Sequence, residues 1–460
     1  MEFKDSLKPP LAPLVPRFSK SIYNFLRVIS PLYMRFVMRL RRIRSVHIER
    51  ILSAYHRFQS GGIRLIIAFR HPTLNEPSLM FLYIANRLRK AARRQGKRLA
   101  RFPHATFVYD RGVPLWLGAY GNWLLPGVGG ISLYRGKVDP AGLRAIRAAM
   151  LDGAHPLCMA PEGANIYQTD IVGKLNPGVA HFGFWCAEDL AKAGRTEEVI
   201  ILPVSFTYHY RDPRQRWFRS LLGRMETECF TGEKPFTGKT IAKGEAVRRI
   251  TRLRERLITD SEEFYARFYR RRPPAPHEKR SLQERIDALA DTALRTAEEY
   301  FGITSVGDVV DRQHAAEQAA WDRIYRHDIP DPDALPPYRK ALADRIAAEA
   351  RLRMQHIQLA DVLMYVRDDY LNETSTWDMC IESLSLCDGI MARLKGGNVG
   401  NHKPKPLADV DVIFGEPLSV NERMDAYRSD RKRTVTAFMD DLNRSYLRLI
   451  GEHHAAGDNG

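Results

Sequence analysis

The sequence predicts an α/β protein, a layered mixed sheet flanked by helices, followed by a mainly helical C-terminal region. Three observations lead there. Between residues 60 and 230, short β-rich runs alternate with helical stretches, the pattern of strands joined through helices. Runs such as Val199-Ile-Ile-Leu-Pro-Val204 are continuously apolar, which suits a strand covered on both faces. Beyond Ser281, helical periodicity takes over to about residue 395. At 460 residues with 44% hydrophobic side chains, the chain is long enough for two or three domains and is globular in composition.

The first element, residues 1–45, is a basic amphipathic segment. Apolar residues at 22, 26, 29, 33, 36 and 40 form one helical stripe, and Pro31 should end or kink that helix. Arg27, Arg35, Arg39, Arg41, Arg42 and Arg44 crowd the rest of its surface. The net charge of +17 is concentrated here: residues 1–100 carry 21 Lys/Arg against 4 Asp/Glu, while the remainder balances. A basic face at one end implies a polyanionic partner. No nucleic-acid recognition motif accompanies it, and a basic helix rich in Phe, Tyr and Leu suits an anionic membrane surface, contacted through residues 21–45.

Residues 46–275 form the α/β domain. Its candidate strands are 64–69, 105–109, 130–134, 156–160 and 199–206, with helices at 78–94 and 178–194 between them. The stretch from Gly112 to Tyr134 is uncharged but holds two prolines and six glycines, which predicts turns buried in protein or lying at an interface. The Pro-rich, charged segment 270–280 reads as a linker, after which Ser281 and Glu284 make a capping-box start. Residues 276–405 form the helical region, with a long periodic helix near 338–371. Residues 406–460 hold a strand at 409–414, a helix near 428–450 and a tail expected to fray. Two similar pieces, 229–235 and 413–419, each follow a strand-like run, and either is a candidate for the last strand of the sheet. If the later one serves, the α/β domain is discontinuous.

The N-terminus lacks the apolar core and cleavage site of a secretory signal, and no uncharged run reaches the roughly 18 apolar residues of a membrane span. Five scattered cysteines without a metal-ligand spacing read as reduced thiols in a cytoplasmic setting. No cofactor or metal is implied.

Chemistry concentrates in three places. His71-Pro-Thr-Leu-Asn-Glu76 follows a strand and precedes a helix, where sites in α/β sheets usually form. A carboxylate there can fix the imidazole tautomer while the other ring nitrogen takes a proton from a hydroxyl. Gly129 to Arg135 is an apolar strand ending on a guanidinium able to grip a phosphate. Pro161-Glu162-Gly163 is a strand-end turn in which Gly163 allows close backbone approach and Glu162 faces a ligand. Lys174 and then Leu202-Pro203-Val204 follow. His104, His155, His181, His209 and His356 have no evident partner and read as structural or surface residues.

In order and spacing these pieces resemble the glycerol-phosphate and lysophosphatidic acid acyltransferase family, over roughly residues 45–270. The resemblance implies transfer of a fatty acyl group from acyl-CoA or acyl carrier protein to a hydroxyl of a glycerol-phosphate or lysophospholipid-type acceptor, at the cytoplasmic face of a membrane. It implies His71 as general base, Glu76 as its orienting acid, Arg135 on the acceptor phosphate, and Glu162 with Gly163 seating the acceptor. Three positions depart from the family pattern. The acid is Glu76 where Asp is usual, Arg70 stands where Asn is usual, and Ala164-Asn165-Ile166 replaces Thr-Arg-Ser. The last removes a phosphate contact, for which Arg70 or Lys174 is the available substitute. A catalytically degenerate lipid- or acyl-carrier-binding protein is the alternative reading.

Overall fold

A computed structural model describes residues 6–11, 14–99, 102–271, 280–304, 306–397 and 404–457. Most of the expected 270–280 linker and the centre of the 395–406 loop lie outside these residues. The chain forms two compact units.

The α/β unit comprises Pro13–Tyr134, Asp139–His209 and Leu407–Gly460. It opens with α1 (Lys20–Phe36), β1 (Leu40–Val46), α2 (Ile48–Gln59) and β2 (Ile63–Phe69). Then come α3 (Glu76–Leu82), which runs through a π-helical turn into α4 (Arg89–Arg94), and β3 (Thr106–Asp110). After α5 (Val113–Leu117), α6 (Ala119–Gly127) and β4 (Ile131–Leu133), α7 (Pro140–Asp152) leads to β5 (Leu157–Met159). The helix α8 (Gly178–Lys192) precedes the long β6 (Glu198–Arg211).

The chain then enters the helical unit, Tyr210–Pro406 together with Arg135–Val138 and the first residues. Its main helices are α9 (Arg216–Cys229), α10 (Lys243–Phe268), α11 (Leu282–Phe301), α12 (Val309–Ile324), α13 (Pro337–Leu363) and α14 (Trp377–Leu394). Ser281 and Glu284 make the expected capping box at the start of α11. The core of α11, α12 and α13 is rich in alanine (Ala297, Ala316, Ala320, Ala347 and Ala350), small side chains that let helices pack closely. The chain returns to the sheet with β7 (Leu407–Phe414) and β8 (Leu418–Ser419), and ends with α15 (Met424–Ser429) and α16 (Arg431–Gly457). The tail expected to fray from 451 is helical to Gly457.

The sheet has eight strands in the order β1-β7-β6-β2-β5-β3-β4, with β8 beside β6. The pairs β1–β7, β2–β6, β2–β5, β3–β5 and β3–β4 are parallel, and β8 is antiparallel to β6. The sheet is therefore mixed. The main core lies on one face of it, where Ile66, Ala68, Leu157 and Ile201 pack with Phe182, Phe184, Phe438 and Tyr446 from α8 and α16.

Of the two candidates for the last strand the later one serves, since Leu407–Phe414 pairs in the sheet while Arg216–Cys229 is helical, so the α/β unit is discontinuous. Three expectations are corrected. Residues 210–268, assigned from sequence to the α/β domain, belong to the helical unit. The N-terminal segment is not one helix: α1 runs through Pro31 to Phe36 and gives way to the edge strand β1. Its first described residues lie on the helical unit, with buried Leu7 donating its N–H to Asp344 Oδ1 at 2.8 Å. Lastly, Gly112–Tyr134 forms two short helices and a strand where turns were expected.

Candidate active site

The candidate site sits at the carboxyl edge of three neighbouring parallel strands, β6, β2 and β5. Strand β2 ends at Phe69, level with Val204 of β6, and Ala68 is level with Met159 of β5. His71 therefore follows β2, Glu162 follows β5, and Tyr208 projects from the far end of β6.

Glu76 is the first residue of α3 and is completely buried. Its carboxylate accepts from four groups. Oε2 takes His71 Nδ1 at 2.8 Å and the Thr73 N–H at 3.0 Å. Oε1 takes the Thr73 hydroxyl at 2.7 Å and the Tyr208 hydroxyl at 2.5 Å. A carboxylate only accepts, so Nδ1 carries the proton and Nε2 keeps its lone pair. The His71 side chain is 18% exposed, enough for a small group to reach the ring. Burial first, and then the negative charge of Glu76, push the Tyr208 hydroxyl well above the ordinary tyrosine range, so it remains a neutral donor.

The backbone of His71 is held from the other side. Its N–H donates to Glu162 Oε2 at 2.5 Å, while Glu162 Oε1 accepts the Gly173 N–H at 3.1 Å and lies 3.6 Å from Arg70 Nε. Arg70 is fully buried and donates to the carbonyls of Thr169 (2.7 Å) and Ile171. The Ile166 N–H closes the arrangement on the His71 carbonyl at 3.2 Å. Gly163 adopts a left-handed conformation (φ +65°) that favours glycine at this turn.

The structure brings His71 and Glu76 together as expected. Glu162 it places differently: the side chain is fully buried and its oxygens are engaged by the protein, so it braces His71 and does not face a ligand. Arg70 is likewise occupied with the 166–173 segment, which removes it as a substitute phosphate contact. Arg135 belongs to the helical unit, where it lies 3.3 Å from His314 Nε2 and 3.5 Å from Glu317 on α12. Lys174 is exposed, one residue beyond the Gly173 N–H that Glu162 holds. Sequence reasoning missed Thr73 and Tyr208. Thr73 lies within the His71–Glu76 segment, but nothing in the sequence marks Tyr208.

Among the described residues, no group of three or more His, Cys, Asp or Glu is placed to hold a metal ion, and no helix is long and apolar enough to cross a membrane. The buried thiols Cys158, Cys186 and Cys387 are pushed up from the ordinary cysteine range by burial, which makes them poor nucleophiles. No protein-family model matches the chain, and no curated protein is significantly similar to it.

Proposed function

We propose that this chain is a peripheral O-acyltransferase with a fold of the glycerolipid acyltransferase type. It moves a fatty acyl group from an acyl-CoA or acyl-carrier-protein thioester to a hydroxyl of a glycerol-phosphate or lysophospholipid-type acceptor. The observation that carries this reading is the His71 Nδ1–Glu76 contact of 2.8 Å at the carboxyl edge of the sheet, with the carboxylate held by three further donors.

Such a pair supports one sequence of steps. Nε2 accepts the proton of the acceptor hydroxyl as its oxygen attacks the thioester carbonyl. A carbon–oxygen bond forms, the carbon–sulfur bond breaks, and the departing thiolate takes the proton back from the imidazolium. Glu76 stabilises that imidazolium, while Tyr208 and Thr73 keep the carboxylate in place. Lys174, exposed and one residue beyond the Gly173 N–H that Glu162 holds, would meet the acceptor phosphate. At the cytoplasmic face of a membrane, residues 21–45 supply the basic attachment.

The competing reading, a binding protein without turnover, draws on the altered segment after Gly163. The test is thioester cleavage and acyl-lipid formation by purified protein, across CoA and carrier-protein donors and across acceptors with and without phosphate. His71→Ala should lower turnover by about 10²–10⁴-fold, the usual contribution of a general base. Equal turnover by this variant would rule out the assignment; absence of transfer with every pairing would favour the binding protein.

A further inference from the structure

The helices α5 and α6 leave β3 at the same carboxyl edge of the sheet that carries His71, since β3, β5 and β2 are parallel. In the order β2-β5-β3, two strand spacings of roughly 5 Å put the ends of β2 and β3 about 10 Å apart. A globular protein normally turns the apolar side of such a helix pair inward. Here Tyr120 is 80% exposed and Trp123 50% exposed, with Leu115 and Leu117 also exposed.

The pair is fastened to α1. The N–H groups of Arg17 and Ser19 donate to the carbonyls of Pro126 and Gly127, both at 2.9 Å. A Cβ at Gly127 would clash with Ile22, so glycine lets the two helices approach closely. Phe25 meets Trp123 edge-on at 6.3 Å. While Tyr23 and Met34 face inward, the outer side of α1 presents Phe25, Val28 (71% exposed), Leu32 and Phe36 (76%). The exposed side chains of the two elements thus form one apolar face that is discontinuous in sequence. Exposed Arg35 stands in the last turn of α1, and exposed Arg39, Arg41 and Arg42 follow it, the last two on β1, with no ion pair to any of them among the described residues.

We propose that this composite face, α5–α6 with the outer side of α1, is a membrane-insertion surface that lays the His71 edge of the sheet against an anionic bilayer. It deepens the peripheral-membrane part of the proposed function and rests on that reading. The occupant follows from three features together. Apolar side chains suit the acyl region, Tyr120 and Trp123 suit the headgroup boundary, and unpaired arginines beside them suit acidic headgroups. An amphiphilic acceptor in that bilayer would present its hydroxyl at the sheet edge without leaving the lipid.

The test uses the full chain carrying His71→Ala, so that binding is read apart from turnover. Vesicles of phosphatidylglycerol, phosphatidylcholine and their mixtures are the probes. Tryptophan emission should be quenched by lipids brominated near the headgroup, and Trp123→Phe should remove a distinct share of that quenching. Tyr120→Ser with Trp123→Ser should weaken partitioning onto acidic vesicles by roughly a hundredfold, from two large side chains no longer buried in lipid, with the melting curve retained. Partitioning equal to that of the parent would overturn the proposal, as would a double variant that instead converts a dimer into a monomer by light scattering. The two levels separate cleanly. Vesicle binding without transfer by the parent chain retires the acyltransferase and leaves docking standing, while transfer with unaltered binding by the double variant does the reverse.

Discussion

Replacing Glu76 by aspartate gives the chain the acid more usual in the resembled family, and the geometry makes that change damaging. The backbone at this position cannot easily advance to compensate. Pro77 fixes its own φ immediately afterwards, and the Leu79 N–H holds the Asn75 carbonyl at 2.9 Å. Losing one methylene draws the carboxyl group back by roughly one carbon–carbon bond, about 1.5 Å. The 2.8 Å contact with His71 Nδ1 then opens past hydrogen-bonding distance. A displacement of this size at a catalytic pair costs on the order of 10²-fold in rate. In the proposed acyl transfer, kcat should therefore fall about a hundredfold in Glu76→Asp, with the KM for the thioester little changed, because Glu76 is fully buried and contacts His71.

A second cost falls on stability. The Tyr208 hydroxyl, raised by burial and by the Glu76 charge, cannot ionise to relieve the loss and is left buried with a poorer partner, at about 1–3 kcal/mol. Adding Tyr208→Phe to Glu76→Asp should return part of that stability without returning turnover, a coupling that a double-mutant cycle reads directly. The assay is steady-state thiol release with donor and acceptor varied in turn, and Glu76→Gln serves as the control that keeps length and removes charge. Parental turnover by Glu76→Asp would refute the clamp.

Two further outcomes follow from the same structure. Glu162→Gln leaves Arg70 as a fully buried cation beside a neutral amide. Breaking such a pair costs about 3–5 kcal/mol, visible as a lower urea midpoint at unchanged slope; a midpoint equal to the parent's would show that Glu162 does not brace the site. Acid should also destabilise the α/β unit through His104, which burial pushes down to about 3 from an ordinary 6.5 although its Nε2 meets the Val128 carbonyl at 2.7 Å. The unfolded chain takes this proton first. The stability is therefore complete above about pH 6.5 and declines as pH falls toward about 3, by up to about 1.4 kcal/mol per pH unit. His104→Gln should flatten the decline measured by urea titration from pH 6 to pH 4, and an unaltered slope would argue against a buried neutral imidazole.

The strands that carry the site were legible because burial on both faces wrote them as mostly apolar runs: 64–69, 156–160 and 199–206 all fall within or beside β2, β5 and β6. Strand β1 was hidden for the opposite reason. It is an edge strand with three arginines in seven residues, and Leu40 completes the helical stripe of α1 while being buried as a strand residue. The His71–Glu76 pair is local, five residues apart across one turn, so sequence spacing alone could propose it. Tyr208 lies 132 residues from Glu76, on a strand buried on both sides, where no alternation marks one face as functional. The inward direction of Glu162 was illegible too. A strand-end Pro-Glu-Gly turn fixes the backbone, and only the neighbouring N–H groups of His71 and Gly173 decide where the carboxylate points.

The position of the helical insertion explains how so large a segment can interrupt the unit that holds the site. The chain leaves the sheet from β6 and returns as β7, which is its neighbour in the sheet. Strand ends are where added segments disturb a sheet least, because the ladder on either side stays paired. The returning strand carries Asp409 and Asp411 into a buried position, and Asp411 is met there by a bidentate Arg44 (2.5 and 2.7 Å) and by His209 Nε2 at 3.2 Å. Strand β7 thus couples the arginine-rich edge strand to the last residue before the insertion. The clamp on Glu76 does not depend on this coupling: Thr73, His71 and Tyr208 all precede Tyr210, on or beside strands β2 and β6. The insertion can therefore differ in length or shape while the His71–Glu76 geometry, set by the inner strands, stays as it is.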